Sequence, residues 1–345
     1  MTMTSDETTV PRPADSAPLL EVENLAVEFH TRDGVVKAVN GLSFAVESGR
    51  TLAIVGESGS GKSVTVQAIM GLLQTPPAQV TGGAVRFRGA DLLSMSKRQH
   101  RAMCGDHVAM VFQDALAALN PVYTVGFQLS EALVARKVMS KKAAKQRAVE
   151  LLDLVKVPNA VQRVHEYPHE FSGGMRQRVM IAMALAMEPE VLIADEPTTA
   201  LDVTVQAQIM RLLSEIQAET SMGLILITHD LGVVADVADD VTVMYAGGAV
   251  EQAGVEDTFL RPAHPYTKAL LRSIPRLDQM GQDLEVIPGR PPELTDIPPG
   301  CPFHPRCGYA QDVCRTDPPP EAHVPSPGRR SACHFAEEVL ADAEQ

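Results

Sequence analysis

The chain has 345 residues, 45% of them apolar, which gives room for one large domain and a smaller one and excludes global disorder. Its formal net charge of −13 argues against a sequence-independent nucleic-acid binder, which needs a basic face. With no Trp and only 4% aromatics, a base-stacking platform is not expected either.

Met1 to Pro18 is polar and rich in Pro, Ser and Thr. It lacks the basic start and apolar middle of a secretory signal and reads as a disordered tail, so a cytoplasmic location is expected. No apolar run approaches the roughly 18 residues needed to span a bilayer. Leu20 to Phe29 alternates as a strand, Val35 to Val39 follows the Asp33-Gly34 turn, and Leu42 to Val46 and Thr51 to Val55 are further short strands.

The last of these feeds Gly56-Glu57-Ser58-Gly59-Ser60-Gly61-Lys62-Ser63, a G-x-x-x-x-G-K-[S/T] pattern. Strand, glycine-rich turn and helix start, in that order, make a phosphate cradle. Backbone N–H groups face phosphate oxygens, Lys62 supplies a point charge and the Ser63 hydroxyl can hold Mg²⁺. Val64 to Leu73 is the helix leaving the loop, and its positive end adds to the attraction.

Val85 to Phe87 and Val108 to Phe112 are again strand-like, and from about Ala115 to Pro168 the pattern is helical. The basic run from Arg136 to Arg147 reads as a solvated helix face. Phe171-Ser172-Gly173-Gly174 opens a helix over Met175 to Met187 and is a second candidate anion site, although an ordinary N-cap has the same residues. One ATP hardly needs two cradles from one chain, so a dimer is expected, each chain closing over its partner's nucleotide.

Val191 to Ala194 is an apolar strand that ends in Asp195-Glu196. Asp195 is placed to reach Mg²⁺ beside Ser63, and Glu196 to activate a water for attack on the γ-phosphate. Val203 to Glu219 is helical, and Leu224 to Thr228 is an apolar strand that ends at His229. Alternating strands and helices imply an α/β fold around a largely parallel sheet, with the ligand at the strand ends.

Pro288, Pro291, Pro292, Pro298 and Pro299 crowd into twelve residues and read as a stiff linker. Beyond it lies a Cys/His/Pro-rich segment expected to be a separate small module. Cys104 stands alone as a buried hydrophobe. Cys301, Cys307, Cys314 and Cys333, spaced C-x5-C-x6-C-x18-C, fall where little apolar residue is available for a core, so a metal staple is expected. Zn²⁺, an iron–sulfur cluster and no metal all stay open on spacing alone, since this is neither a paired C-x2-C ribbon nor a standard ferredoxin run. His304, His323 and His334 read as surface histidines.

Together these residues resemble the ATP-binding cassette (ABC) family of P-loop NTPases. The Ser172-Gly173-Gly174 element looks like its signature motif. Further roles are implied only where the residues match. Gln113 resembles the glutamine that senses Mg²⁺ and the membrane subunit, and Asp202 in Ala200-Leu201-Asp202 the loop that couples the two sites of a dimer. His229 resembles the γ-phosphate histidine, and Phe29 the adenine-stacking aromatic. The resemblance implies a cassette over 19–272, with an antiparallel β subdomain and a helical subdomain near 115–170, then a linker over 273–299 and the Cys-rich extension over 300–345.

Phe171 for Leu and Met175 for Gln in the signature resemble the oligopeptide/dipeptide (and nickel) importer branch. So do Leu119-Asn120-Pro121, His264-Pro265-Tyr266-Thr267 and the stretch Gly300 to Cys307. This likeness implies an importer ATPase at the cytoplasmic face of the cell membrane. Its implied partners are a second, unlike ATPase subunit, two permease subunits and an extracellular solute-binding protein, with no nucleic acid. It also tips the cysteine module toward a 4Fe–4S cluster. A soluble ABC ATPase acting on DNA or ribosomes would show a coiled-coil insertion or two cassettes, and this acidic chain shows neither. A non-hydrolysing regulatory cassette is opposed by the intact catalytic residues.

Overall fold

A computed structural model describes residues 17–32, 34–199, 201–273, 286–324 and 328–343. The expectation for Met1 to Pro18 therefore lies almost wholly outside the described residues. Two sheets organise the chain. The smaller is antiparallel, in the order β2-β1-β4-β5, from β1 (Leu20–Thr31), β2 (Gly34–Val46), β4 (Ala78–Phe87) and β5 (Ala90–Asp91). The stretches Val35 to Val39 and Leu42 to Val46 are thus one strand, not two. Register shifts between Val22 and Glu28 absorb its irregularity.

The larger sheet adds β3 (Thr51–Val55), β6 (Val108–Val111), β7 (Val191–Asp195), β8 (Gly223–Thr228), β9 (Asp240–Tyr245), β10 (Gly248–Gly254), β11 (Glu321–His323) and β12 (Arg330–Ala332). Its order is β11-β12-β10-β9-β3-β8-β7-β6. From β9 to β6 neighbouring strands are parallel, and β10, β12 and β11 extend the sheet antiparallel. Every residue of β3, β7 and β8 is buried, as expected for parallel strands covered on both faces.

The period-2 alternation divides the core. Val191 and Ile193 join Ile54, Ile225 and Ile227 beneath the antiparallel sheet. Leu192 and Ala194 turn the other way, onto the helices Gly173–Leu185 and Val203–Thr220. Between β6 and the Gly173–Leu185 helix lie the helices Ala115–Ala118, Val125–Ala135, Lys141–Leu154 and Ala160–Arg163, the expected helical subdomain. Lys141, Lys142 and Lys145 are exposed, while Ala144, Ala148, Leu151 and Leu152 of the same helix are buried, which bears out the solvated basic face.

Two further sequence expectations change. The helix leaving the phosphate loop spans Lys62–Ile69 and stops short of Leu73, because the chain turns left-handed at Gly71 (φ +65°). The Cys-rich segment is also not set apart from the sheet. Its strands β11 and β12 continue that sheet through β10, and Phe303 packs with Tyr245 and Tyr266 in the core cluster under β9. Residues 274–285 of the expected linker lie outside the described residues. Ile287 is buried in that same cluster.

Candidate active site

The phosphate loop joins β3 to the Lys62–Ile69 helix, and two of its glycines have no substitute. At Gly61 (φ +101°) a Cβ would lie 2.2 Å from the Ala38 carbonyl oxygen. At Gly56 (φ +156°) it would lie 2.3 Å from the Met244 carbonyl oxygen. Lys62 is 5% exposed, and its Nζ donates to the carbonyl oxygens of Gly56 (2.8 Å) and Glu57 (3.0 Å), so the ammonium is folded back into the loop. Burial pulls its pKa down, against the opposing pull of Glu196, Asp195 and Glu57.

At the end of β7, Asp195 accepts from the Ser63 hydroxyl at 3.0 Å. Burial is the main cause that raises its carboxyl above the usual range. These two oxygens form the pair a Mg²⁺ ion would take, and a divalent cation would offset the burial that now disfavours the charged carboxylate. Replacing Ser63 by Ala is expected to weaken nucleotide binding about tenfold in Mg²⁺ and far less in EDTA, as titration with a fluorescent ATP analogue would show.

Glu196 sits in left-handed backbone (φ +44°), its N–H donating to the Ile227 carbonyl at 2.9 Å. That strained turn aims its carboxylate across the strand ends. Oε2 accepts from Gln113 Nε2 (2.9 Å) and from the Thr199 hydroxyl (3.0 Å), and Oε1 lies 3.6 Å from His229 Nδ1. Three residues expected to act together, Gln113, Glu196 and His229, therefore meet on one carboxylate. Thr199 was not anticipated; the Pro197-Thr198-Thr199 turn after Glu196 was its only signal.

A single open cavity collects Ser58, Gly59, Gly61, Lys62, Ser63, Val64, Gln113, Glu196 and His229, with Phe29, Val36 and Leu294 on its apolar side. Phe29 both lines this cavity and packs against the core cluster under the antiparallel sheet, so its two sequence readings are compatible. Leu294 was also not anticipated. It reaches the cavity from the Pro-rich stretch, where its carbonyl accepts from the Lys37 N–H at 3.4 Å.

Gly56, Glu57 and Ser60 do not line the cavity. The N–H of Glu57 donates to the Tyr266 hydroxyl (2.9 Å), and its carboxylate turns to Arg306. Ser172 and Asp202 do not line it either. Ser172 caps the Gly173–Leu185 helix by accepting from the Met175 N–H (3.4 Å), and Asp202 caps the Val203–Thr220 helix by accepting from the Val205 N–H (3.0 Å). Ser172, Gly173 and Asp202 are all exposed, and Gly174 packs so closely that a Cβ would lie 2.6 Å from Val205.

The four C-terminal cysteines come together around one small cavity with His264, Phe303, His304, Tyr309 and Phe335. None forms a disulfide. Backbone N–H groups of Tyr309 and Phe335 donate to Cys307 Sγ (3.3 Å) and Cys333 Sγ (3.4 Å). Burial pushes the Cys307 thiol up to about 11 and that of Cys333 to about 12. Among the described residues, no three His, Cys, Asp or Glu side chains form a group that could hold a metal ion.

Residues 39–199 match the ABC transporter family, and residues 250–314 match the C-terminal region of oligopeptide/dipeptide transporters. The oligopeptide transport ATP-binding protein OppD of Salmonella typhimurium is 52% identical over 340 residues, 99% of this chain and all of that one. This chain belongs to the family of ATP-binding subunits of oligopeptide/dipeptide ABC transporters.

The dipeptide transport ATP-binding protein DppD of Bacillus subtilis, a member of that family, is 56% identical over 86% of this chain and 88% of its own length. Among solved structures, a dimeric post-hydrolysis state of the ATP-binding cassette MJ0796 bound to ADP and Pi is similar with a TM-score of 0.61. It is 26% identical and covers 68% of this chain and 98% of that one. The sheet order and helical subdomain described above are thus those of a P-loop ABC cassette. As for the membrane itself, no helix of the described residues is long and apolar enough to cross it.

Proposed function

We propose that this chain is the ATP-hydrolysing subunit of an ABC importer, powering uptake of oligopeptides, dipeptides or related solutes through partner permease subunits. It works at the cytoplasmic face of the membrane, with a solute-binding protein delivering the cargo. The observation that carries the reading is the Glu196 carboxylate, held by Gln113 and Thr199 within reach of His229 and beside the Ser63–Asp195 pair. A carboxylate so placed can take a proton from an attacking water while Lys62 and Mg²⁺ balance the charge on the phosphates. ATP turnover by the assembled transporter in liposomes, with and without binding protein and peptide, tests it. Stimulation by peptide is expected; turnover indifferent to every peptide tried would refute the substrate class.

We infer the residue roles from the family resemblance together with this placement. Ser58, Gly59, Gly61, Lys62, Ser63 and Val64 hold the phosphates, with Gly56, Glu57 and Ser60 shaping the loop behind them. Phe29 faces the base, Ser63, Asp195 and Gln113 would hold Mg²⁺, and Glu196 and His229 would act on the γ-phosphate. Ser172, Gly173, Gly174 and Asp202 serve the nucleotide of a partner cassette, a role supported by the exposure of Ser172, Gly173 and Asp202 and by the absence of all four from this chain's own cavity. The partner is taken to be an unlike chain. Mixing this subunit with its candidate partner in ATP should then give a heterodimer by light scattering, whereas homodimers of equal stability would overturn that choice.

The cassette is assigned to 19–272, the linker to 273–299 and the extension to 300–345. In the extension, Cys301, Cys307, Cys314 and Cys333 are proposed to hold a 4Fe–4S cluster. Convergence of four free thiols, N–H donors on two of the sulfurs and an apolar surround all fit such a group. Bound there, the group would supply a structural staple and a redox-active centre. Protein purified without oxygen should carry iron and sulfide near about four each per chain. Neither metal nor sulfide would reduce the cysteines to a packing role and leave the ATPase untouched.

A further inference from the structure

Arg306 lies between Cys301 and Cys307, in the single turn His304–Arg306. Its side chain is 4% exposed, yet it carries a charge, and that charge is spent on the phosphate loop. Nη1 and Nη2 grip the two carboxylate oxygens of Glu57 at 2.6 and 2.9 Å, in an end-on pair spanning 249 positions of sequence. Nε donates to the Pro288 carbonyl (2.9 Å), Nη1 also reaches the Tyr245 hydroxyl (3.3 Å), and the guanidinium lies over the rings of Tyr245 and Phe303. Such a planar fork has little freedom to move.

Glu57 is fixed from a second side, its N–H donating to the hydroxyl of the fully buried Tyr266. It is also the residue whose carbonyl takes the Lys62 ammonium and accepts from the Ser60 N–H at 3.2 Å. The chain of contact from Arg306 to the phosphate-binding lysine is therefore Arg306, Glu57, Lys62, with every link a hydrogen bond. Behind Arg306, the turn is tied to the cysteine module. The His304 N–H donates to the Cys301 carbonyl, the Cys307 N–H to the His304 carbonyl, and the Cys301 N–H to the Cys314 carbonyl.

We propose that Arg306 is a positioning residue of the ATP site, which holds the entrance of the phosphate loop through Glu57 and makes the Cys301–Cys307 turn part of that site's mechanics. A buried ion pair is weak evidence for stability, since desolvation offsets much of the attraction. Where it sits is the point: the pair spans from the cysteine module to the residue that shapes the cradle. With Arg306 gone, the Glu57 carboxylate loses the cation that grips both its oxygens, and the loop backbone that presents Lys62 loses one of its two anchors.

The proposal rests on reading the cavity as a nucleotide site. Wild-type binding of Mg-ATP tests that reading by itself: if the wild type binds no ATP, the reading falls, whereas failure of the proposal requires a wild type that binds. The experiment uses the full chain in the assembled transporter and compares Arg306→Ala, Arg306→Lys, Glu57→Gln and the double variant Arg306→Ala/Glu57→Gln. Expected is a rise of about tenfold in the KM and Kd for ATP in Arg306→Ala with a smaller change in kcat, the signature of a displaced binding loop. Arg306→Lys should fall between, since an ammonium cannot grip both oxygens.

The double variant should be no worse than the poorer single one, because both break the same link. An unchanged Kd and KM alongside a lowered melting temperature would overturn the proposal and leave Arg306 as a staple of the extension alone. Should Arg306→Ala fail to fold, Glu57→Gln decides. It keeps the side chain's shape and removes its charge, so an ATP affinity equal to wild type would equally sink the idea.

Discussion

Replacing Glu196 by Gln is expected to lower ATP turnover by about 10²–10⁴-fold while leaving Mg-ATP binding nearly intact, the range for loss of a positioned general base. The amide keeps the shape of the carboxylate and can still accept from the Thr199 hydroxyl or the Gln113 amide, so the site should stay assembled. What disappears is the basicity needed to take a proton from water. Because binding survives and hydrolysis does not, the variant should accumulate a closed, ATP-bound pair of cassettes, visible by size-exclusion chromatography in ATP. Single-turnover measurements with the partner's site disabled give the clean comparison. Turnover within a few-fold of wild type there would remove Glu196 from the chemistry and point instead to His229.

Gly61→Ala should be the most damaging change of a single methyl group. The residue sits at φ +101°, where an L side chain is strained by roughly 1–3 kcal/mol, and its Cβ would lie 2.2 Å from the Ala38 carbonyl oxygen. Backbone on both sides would have to move: β2 at Ala38, and the start of the Lys62–Ile69 helix that carries Lys62 and Ser63. Loss of about 3 kcal/mol of stability and of measurable ATP binding is expected, read by thermal unfolding with and without Mg-ATP. Gly59→Ala is the control. That residue is also left-handed (φ +80°) but meets nothing within 4 Å, so it should cost the strain without the collision and retain weak binding. If both variants bind alike, the collision argument is wrong.

The chemistry of the site was legible in the sequence because each piece is short and its residue types are forced. A phosphate cradle needs glycines at left-handed positions, a lysine and a hydroxyl in one run, and the ends of apolar strands supply Asp195, Glu196 and His229. The helical subdomain was legible from its period. The β9–β10 hairpin is harder to read, although Val241 to Tyr245 is a strand-like run and Gly247-Gly248 a turn signal. Its loop, Ala246 and Gly247, has both residues left-handed, a geometry the alanine does not advertise. Leu294 and Arg306 are out of reach for another reason. Each acts through a partner chosen by the fold, and no local pattern marks an arginine that will meet a glutamate 249 positions away. The cysteine segment looked detachable for want of apolar residues, but its neighbours supply them: Tyr245 and Tyr266 from the cassette surround Phe303.

The way the chain ends has a practical consequence for anyone who would shorten it. Strand β10 is hydrogen-bonded to β9 on one side and to β12 on the other, at Glu251 with Ser331 and Gln252 with Arg330. A protein cut at Ser273, the natural stopping point if the cassette is thought of as self-sufficient, would bare the β12-facing side of β10 as an open ladder of unpaired amides. It would also strand Glu251, 1% exposed, without the Arg329 guanidinium that lies 3.1 Å from it. Open edges recruit other strands. Such a fragment should self-associate in proportion to its concentration, and its poor behaviour would be a property of the missing hem, not of the nucleotide site.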